Sequence, residues 1–551
     1  MNARGKRSPV RALWCWVIVV TIAVIAPAPV ASAQNATTRP VLIVGNNWDG
    51  TADVIDPDRF TRLARINIVP DLQERLAEIR SDPAAQGYFL AIRELIGEGN
   101  DQFVDDAFTS HDGRFVYVSR PSLADVVGID LGTHEIVWRT KVEGYRSDHM
   151  AISPDGRRLL VSASTAAKVH EIDTSDGKIV GSFESGETPH ENNYSRDGKL
   201  VYHASIGKVY TPLDEPAFDD TKGNRWFQVV DAQTNTVLRR IDMGDKMEEA
   251  GYPDMSAAVR PMALSPDERY VYFQLSFLHG FVEYDLVADK VLRVANLPLS
   301  EEAKNLRREQ YLLDSAHHGL SMNPQGDKLC VAGTMSDYAA IVSRETFKYQ
   351  LVQVGQKPYW STNNGDGRYC FVSVSGDDRV SVISYATGQE VARIPVGDHP
   401  QRMRMGNIVA SYVGQAPAAA ATAACQDRSA PTSTIHRRTL WASGRGLLLK
   451  GVSSDRGCAP GGRGLVRRVH VAVMRPVRGG CQMLGTNGRL TPRRSCRRPI
   501  LLRAGGAHRW HFSRRVSLPR GLYKAWVVAF DARANRESGR YSARSIPFRL
   551  R

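Results

Sequence analysis

The sequence predicts an all-β chain of repeated four-stranded units followed by a second, smaller β-domain, and three observations carry that prediction. A turn motif recurs as SHDG at Ser110, SPDG at Ser153, SRDG at Ser195, SPDE at Ser265, NPQG at Asn323 and NGDG at Asn364. The steps between copies are 43, 42, 70, 58 and 41 residues, a period that belongs to stacked supersecondary units rather than to one continuous core. Finally, an Ala-rich stretch, GQAPAAAATAA (414–424), separates these repeats from a tail rich in arginine.

Each turn lies between a short apolar stretch and an alternating run such as RFVYVS (114–119), RRLLVS (157–162), KLVYHA (199–204) or RYVYFQ (269–274). Side-chain period two with β-branched and aromatic residues marks strands, and Asp-Gly between two of them marks a tight hairpin. Ser or Asn opens the turn by bonding its own backbone, and Gly takes the positive φ that closes it. A second element follows each hairpin: apolar-x-apolar, usually Asp, a polar turn, then another alternating run. Its copies begin at positions 52, 126, 169, 227, 281, 339 and 380 and supply third and fourth strands.

Seven second halves stand against six first halves, so one unit lacks its opening hairpin. The chain enters at PVLIVGNN (40–47), already a second strand, and DHPQRMRMGNIVASYVG (398–414) can supply the absent innermost strand. A ring closed by strands from both ends leaves no unpaired sheet edge. The expected fold is therefore a seven-bladed β-propeller over residues 34–413.

The blades carrying YSRDGKLVY with VVDAQTNTVLRRIDMG, and VSVISYATGQEVARIPVG, resemble the YVTN-type (YncE-like) β-propeller repeats over roughly residues 40–414. The resemblance implies the fold and leaves the function open, because propellers of this kind include ligand-binding surface proteins, lyases, lactonases and oxidoreductase subunits.

Residues 1–33 read as a cleavable signal peptide: Arg4, Lys6, Arg7 and Arg11, an apolar stretch from Ala12 to Ala26, then Ala31-Ser32-Ala33. That stretch is shorter than the roughly 20 residues of a membrane span. The chain is expected to be exported and extracellular or envelope-associated. Six cysteines follow the signal. Cys481 with Cys496 and Cys425 with Cys458 are the natural disulfide pairs of an exported chain, while Cys330 and Cys370, on matching second strands, read as buried free thiols.

The formal charge of +14 hides two opposed parts. From Cys425 onward there are 28 Lys+Arg against 4 Asp+Glu, whereas residues 34–424 hold 40 against 54. The tail, 425–551, alternates like short strands in RRVHVAVMR (467–475), GLYKAWVVAFDARANRES (521–538) and SIPFRL (545–550). Leu518-Pro519, Gly521, Tyr523, Asp531-Ala532 and Asn535 resemble the run found in immunoglobulin-like β-sandwich modules of exported bacterial proteins. Surplus arginine points to an anionic cell-envelope polymer as partner. Export argues against nucleic acid, and the acidic propeller offers the tail a docking face within one molecule.

Every long insertion falls in a link type that emerges on one face of a propeller: 67–98 and 295–315, both with helical patterns, 242–258, and 205–225 with Asp214, Glu215, Asp219 and Asp220. Together they predict a funnel with a few short helices, holding a small molecule or peptide. Innermost strands enter the channel from that face. Counting back five and four places from each turn gives Asp105/Asp106, Asp148/His149, His190/Glu191, Arg260/Pro261, His318/Gly319 and Tyr359/Trp360. With Gly406 as the turn glycine of the closing strand, the last pair is Asp398/His399. The candidate ligand-binding residues are Asp106, His149, His190, Glu191, Arg260, His318, Tyr359 and His399. Neutral imidazoles converging from several strands suit a divalent transition metal, with His149, His190, His318 and His399 as candidate ligands. Three functions follow: a ligand-binding propeller held at the envelope, a metal-dependent lyase, hydrolase or oxidoreductase, and a structural adhesion protein. No nucleophile elbow or phosphate loop is present in the sequence to favour catalysis.

Overall fold

The computed structural model describes residues 37–209, 221–311, 313, 315–414, 430–436, 440–454, 466–496, 499–506, 509–531, 536–537 and 545–550. The expected signal peptide, the Ala-rich stretch beyond Gly414, the expected Cys425–Cys458 pair and the acidic residues Asp214, Glu215, Asp219 and Asp220 lie outside the described residues.

The turn motif works as a local hydrogen-bond device. Ser110 Oγ donates to Asp112 Oδ1 at 2.6 Å and accepts the N–H groups of Arg114 and Phe115 at 3.1 and 3.0 Å, while Gly113 takes φ +70°. The same acceptor role falls to Ser153, Ser195, Ser265, Asn323 and Asn364. In the SPDE copy Glu268 adopts the left-handed backbone that glycine takes elsewhere, at φ +53°. The aspartates ending the third strands cap the next turn, with Asp56, Asp130, Asp231 and Asp285 each accepting two backbone N–H groups.

These turns build seven four-stranded antiparallel sheets. In one of them the strands Asp106–Thr109, Phe115–Arg120, Asp125–Asp130 and Ile136–Lys141 run side by side in chain order, and five others repeat the pattern from first strands Ser147–Ile152, Pro189–Tyr194, Val259–Leu264, Leu320–Met322 and Pro358–Asn363. The remaining sheet joins the ends of the repeat region: Pro400–Val409 pairs antiparallel with Thr38–Asn46, setting Gly406 opposite Val41. First strands touch one another in cyclic order, so that Pro400–Val409 meets both Pro358–Asn363 and Asp106–Thr109. This is a β-propeller arrangement, with the apolar core lying between neighbouring sheets, for example Val41, Val54, Val104, Val116 and Val127 in one interlayer.

Two expectations are corrected here. Among the described residues of the link 295–315, the separate turns Ala303–Asn305 and Arg308–Gln310 stand where one helix was expected, because Leu306 and Arg307 take extended backbone between them; isolated helices this short are marginal in water. The link after the first complete sheet edge does fold into helices, Leu72–Ser81 and Pro83–Ala91, the second capped by Asp82. Cys330 and Cys370 are bonded to each other rather than free. Their Cα atoms, on the second strands of adjacent sheets, stand 6.4 Å apart, within reach of a bridge because facing side chains of neighbouring sheets share one interlayer.

The tail forms two sheets, one centred on Gly446–Ser454 and the other on Val466–Val477 paired with Gly521–Asp531. A shared core of Leu447, Leu449, Val469, Val471, Trp510, Phe512 and Tyr523 lies between them. Cys481 and Cys496 are bonded as expected.

Candidate functional site

The first strands enter the centre of the ring through a shared loop. Gly186-Glu187-Thr188-Pro189, Gly355-Gln356-Lys357-Pro358 and Gly397-Asp398-His399-Pro400 each place a left-handed residue just before the proline that opens the strand, at φ +52°, +53° and +56°. The residue two beyond the proline lies in the hub. The closing strand therefore presents Gln401 and Arg402, not Asp398 and His399, at the matching place. This corrects the register drawn from Gly406, which was three residues out; the repeated G-x-x-P signature was the available signal. His399 instead stacks flat on Trp48, with ring centroids 3.7 Å apart.

Three of the four candidate histidines come together. His149, His190 and His318 each offer a ring nitrogen, all within 4.8 Å of one another. His190 Nε2 and His318 Nε2 are 3.4 Å apart, and the His149 and His190 rings meet at 3.7 Å between centroids. His149 Nδ1 lies 2.7 Å from Glu191 Oε2, and its Nε2 is buried with no hydrogen-bond partner. Burial, reinforced by Arg402, holds all three imidazoles well below the usual histidine range and so keeps them neutral. Glu191, which also accepts from Asn193 Nδ2 at 3.0 Å, is pushed up to about 7 by burial. His317 points away, toward Tyr338 and His279.

Around the histidines stand carboxylate–guanidinium pairs. Arg402 Nη1 donates to Asp105 Oδ1 at 2.6 Å, Arg404 grips Asp106 through two bonds at 2.9 and 2.6 Å, and Arg146 pairs with Asp148. Burial drives Asp105 well above the ordinary carboxylate range, whereas at Asp148 burial is outweighed by Arg146 and Arg402 and the group is held low. Arg404 also lies over Trp360 at 4.8 Å and Tyr359 stacks on His318 at 4.2 Å. Arg260 is fully buried, with Nε donating to Ser276 Oγ at 3.0 Å and Nη2 to the Leu313 carbonyl. Arg146, Arg402 and Arg404 were not among the sequence candidates. The two on the closing strand were hidden by the register error, and Arg146 sits one loop residue ahead of its strand.

A cavity of about 390 Å³ opens onto this hub. Asp105, Asp148, His190, Arg260, His318 and Arg402 are buried in its lining, and the exposed part of the lining is Tyr88, Leu95, Thr165 and Lys208. Tyr88 and Leu95 are 43% and 57% exposed, so the helical insertion turns apolar side chains to an open mouth. His399 and Glu98 line it too. Of the candidate residues, Asp106, His149 and Glu191 lie behind the lining, with Asp106 holding Arg404 and Glu191 holding His149. A second cavity, about 850 Å³, has Glu98, Asp101, Asp378 and Asp398 on one side and Arg468, Arg503 and Arg509 of the tail on the other.

No protein-family model and no curated protein matches the sequence. Among solved structures, Kuenenia stuttgartiensis hydrazine synthase is similar over 54% of this chain and 88% of its own, at 17% identity and a TM-score of 0.42.

Proposed function

We propose that this chain is an exported, seven-bladed β-propeller of the YVTN type that binds a small amphiphilic molecule in its funnel, with an immunoglobulin-like tail that holds it at the cell envelope. The observation that supports the ligand reading is the lining of the 390 Å³ cavity, which sets the apolar side chains Tyr88, Ile92, Leu95 and Val209 beside the buried charged groups Asp105, Asp148, Arg260 and Arg402. A ligand with a hydrocarbon or aromatic body and an anionic head matches both sets, and the guanidiniums of Arg260 and Arg402, fixed by their own hydrogen bonds, are preorganised for the head. Two intrachain disulfides fit an oxidising compartment. In the tail, Tyr523 Oη donates to the Pro519 carbonyl at 2.6 Å, four residues upstream, in the manner of the tyrosine corner of such sandwiches.

The test is a titration with 1-anilinonaphthalene-8-sulfonate, an aromatic body with a sulfonate head. Saturable fluorescence at one site, weakened about tenfold or more by Leu95→Glu at the mouth, is the expected result, since that substitution removes apolar contact and adds a like charge. Leu95 is largely exposed, so the variant keeps the fold. Non-saturable binding, or saturable binding indifferent to Leu95→Glu, would sink the reading.

A further inference from the structure

We propose that His149, His190 and His318 form a binding site for one divalent transition-metal ion beside the buried charged groups of the cavity, with Glu191 orienting His149 and the remaining coordination position facing the cavity. The inference deepens the ligand reading above and rests on it only for what occupies that last position.

Geometry comes first. A four-coordinate ion with metal–nitrogen bonds of about 2.0–2.1 Å holds its ligand nitrogens about 3.3–3.4 Å apart. His190 Nε2 and His318 Nε2 already stand at 3.4 Å, and the third ligand nitrogen falls within 4.8 Å of both. The three residues come from different strands, Ser147–Ile152 and Pro189–Tyr194 for His149 and His190, while His318 precedes Leu320–Met322. Rigid sheets therefore set their spacing.

The second observation is the unpartnered atom. In the tautomer that donates Nδ1–H to Glu191, His149 keeps a buried Nε2 lone pair with no hydrogen-bond partner. An orphaned buried acceptor destabilises the fold, and coordination removes that penalty. Carboxylate, then imidazole, then metal is the usual way a protein fixes the tautomer of a ligating histidine. Charge agrees as well. Asp106 and Asp148 are each paired with an arginine and Asp105 is driven by burial toward its neutral form beside Arg402, whereas Glu191 is held by His149 and Asn193. A dication beside His149 meets this carboxylate across the ring.

Three imidazoles with no thiolate select zinc, copper, nickel, cobalt or iron over calcium or magnesium. Asp148 Oδ1, 3.9 Å from His149 Nε2, is placed to accept a hydrogen bond from a water in the open position, which an anionic ligand head would displace. Such a head would be gripped by ion and guanidinium together.

The full chain, made without a histidine tag and stripped of metal, is titrated with Co²⁺ alone and with Zn²⁺ alone. The expected result is one equivalent bound, with the visible absorption of four-coordinate cobalt displaced by zinc. His190→Asn and His318→Asn abolish the spectrum, and Glu191→Gln weakens Co²⁺ binding about 10–100-fold. A wild-type chain that gives no saturable cobalt spectrum and carries no stoichiometric transition metal as isolated overturns the proposal, as does undiminished binding in either histidine variant. Should a variant fail to fold, the wild-type titration decides alone. Anilinonaphthalenesulfonate binding that persists in a chain unable to bind cobalt removes the metal site and leaves the cavity reading intact; cobalt binding without dye binding does the reverse.

Discussion

Arg404 and Asp106 meet through two parallel bonds, Nε to Oδ1 at 2.9 Å and Nη2 to Oδ2 at 2.6 Å, across the junction where the last strand of the repeat region touches the strand Asp106–Thr109. Asp106 is fully buried. Removing one partner of such a pair leaves the other charge stranded in the interior, so Arg404→Met is expected to cost about 3–5 kcal/mol in urea unfolding. Arg404→Met combined with Asp106→Asn should recover much of that loss. A double variant as unstable as the single one would mean that the pair matters through packing over Trp360 and Phe108, which Arg404 also covers.

The disulfide between Cys330 and Cys370 spans 40 residues of sequence and ties two neighbouring sheets. Replacing both cysteines by alanine is expected to lower stability by about 2–4 kcal/mol, mainly by releasing the unfolded chain. The comparison is the urea midpoint of the double variant against the oxidised wild type; an unchanged midpoint would show that the bond contributes nothing beyond the interlayer packing around it.

Acid should weaken the fold through histidines that burial keeps neutral. His203, bonded to Asn192 and Ser185, is lowered to about 3 and His279 to about 4 from an ordinary 6.5. Below pH 6.5 the unfolded chain takes up these protons and the folded chain does not, so stability is full above that pH and declines as pH falls toward 3–4. For His203 alone the decline from pH 7 to 5 is about 2 kcal/mol. His203→Gln should flatten the curve over that window, and an equally steep curve in the variant would remove His203 from the account.

Base should weaken it through Asp398, an exposed residue on the wall of the second cavity, pushed up to about 7 by the desolvation there and by the neighbouring carboxylates Asp378 and Asp49. Here the folded chain holds a proton that the unfolded chain has already lost above pH 3.8. The stabilisation is therefore complete below that value and disappears as pH rises through about 7. Asp398→Asn should raise the melting temperature at pH 8 and leave it unchanged at pH 4. A similar gain at both values would point to a cause other than the proton.

If the tail anchors the chain, residues 34–551 should be retained on phosphate-rich cell wall and released by salt, while residues 34–424 flow through. Equal retention of the two would remove the tethering role. Arg468 and Arg503 share the second cavity with the carboxylates Asp101 and Asp378, which predicts that some of the tail's charge is already engaged within the chain. Neutralising these carboxylates should then strengthen retention.

Strand identity was legible because the Ser/Asn-opened turn and the Asp-capped turn are local hydrogen-bond devices, each readable within six residues. All seven third-to-fourth strand hairpins fall where the sequence placed them. The convergence of His149, His190 and His318 was legible only as a register position, since strand alternation leaves open which of two neighbours faces the axis. The place of Arg402 and Arg404 was not read. The closing strand has no turn motif of its own to count from, and the signal that would have replaced it, G-x-x-P, lies at the opposite end of the strand. The Cys330–Cys370 bond depends on the spacing between two sheets, a distance that no single strand encodes.

The pairing of Thr38–Asn46 with Pro400–Val409 also sets an order of events. The strand Thr38–Asn46 cannot complete its own sheet until a partner more than three hundred and fifty residues later has been made, and closing so long a loop comes late in folding. A chain threaded outward from its N-terminus would stay an open, unlatched arc for nearly the whole passage. The hub, with its histidines drawn from several sheets, would come into being only at the last click of the ring.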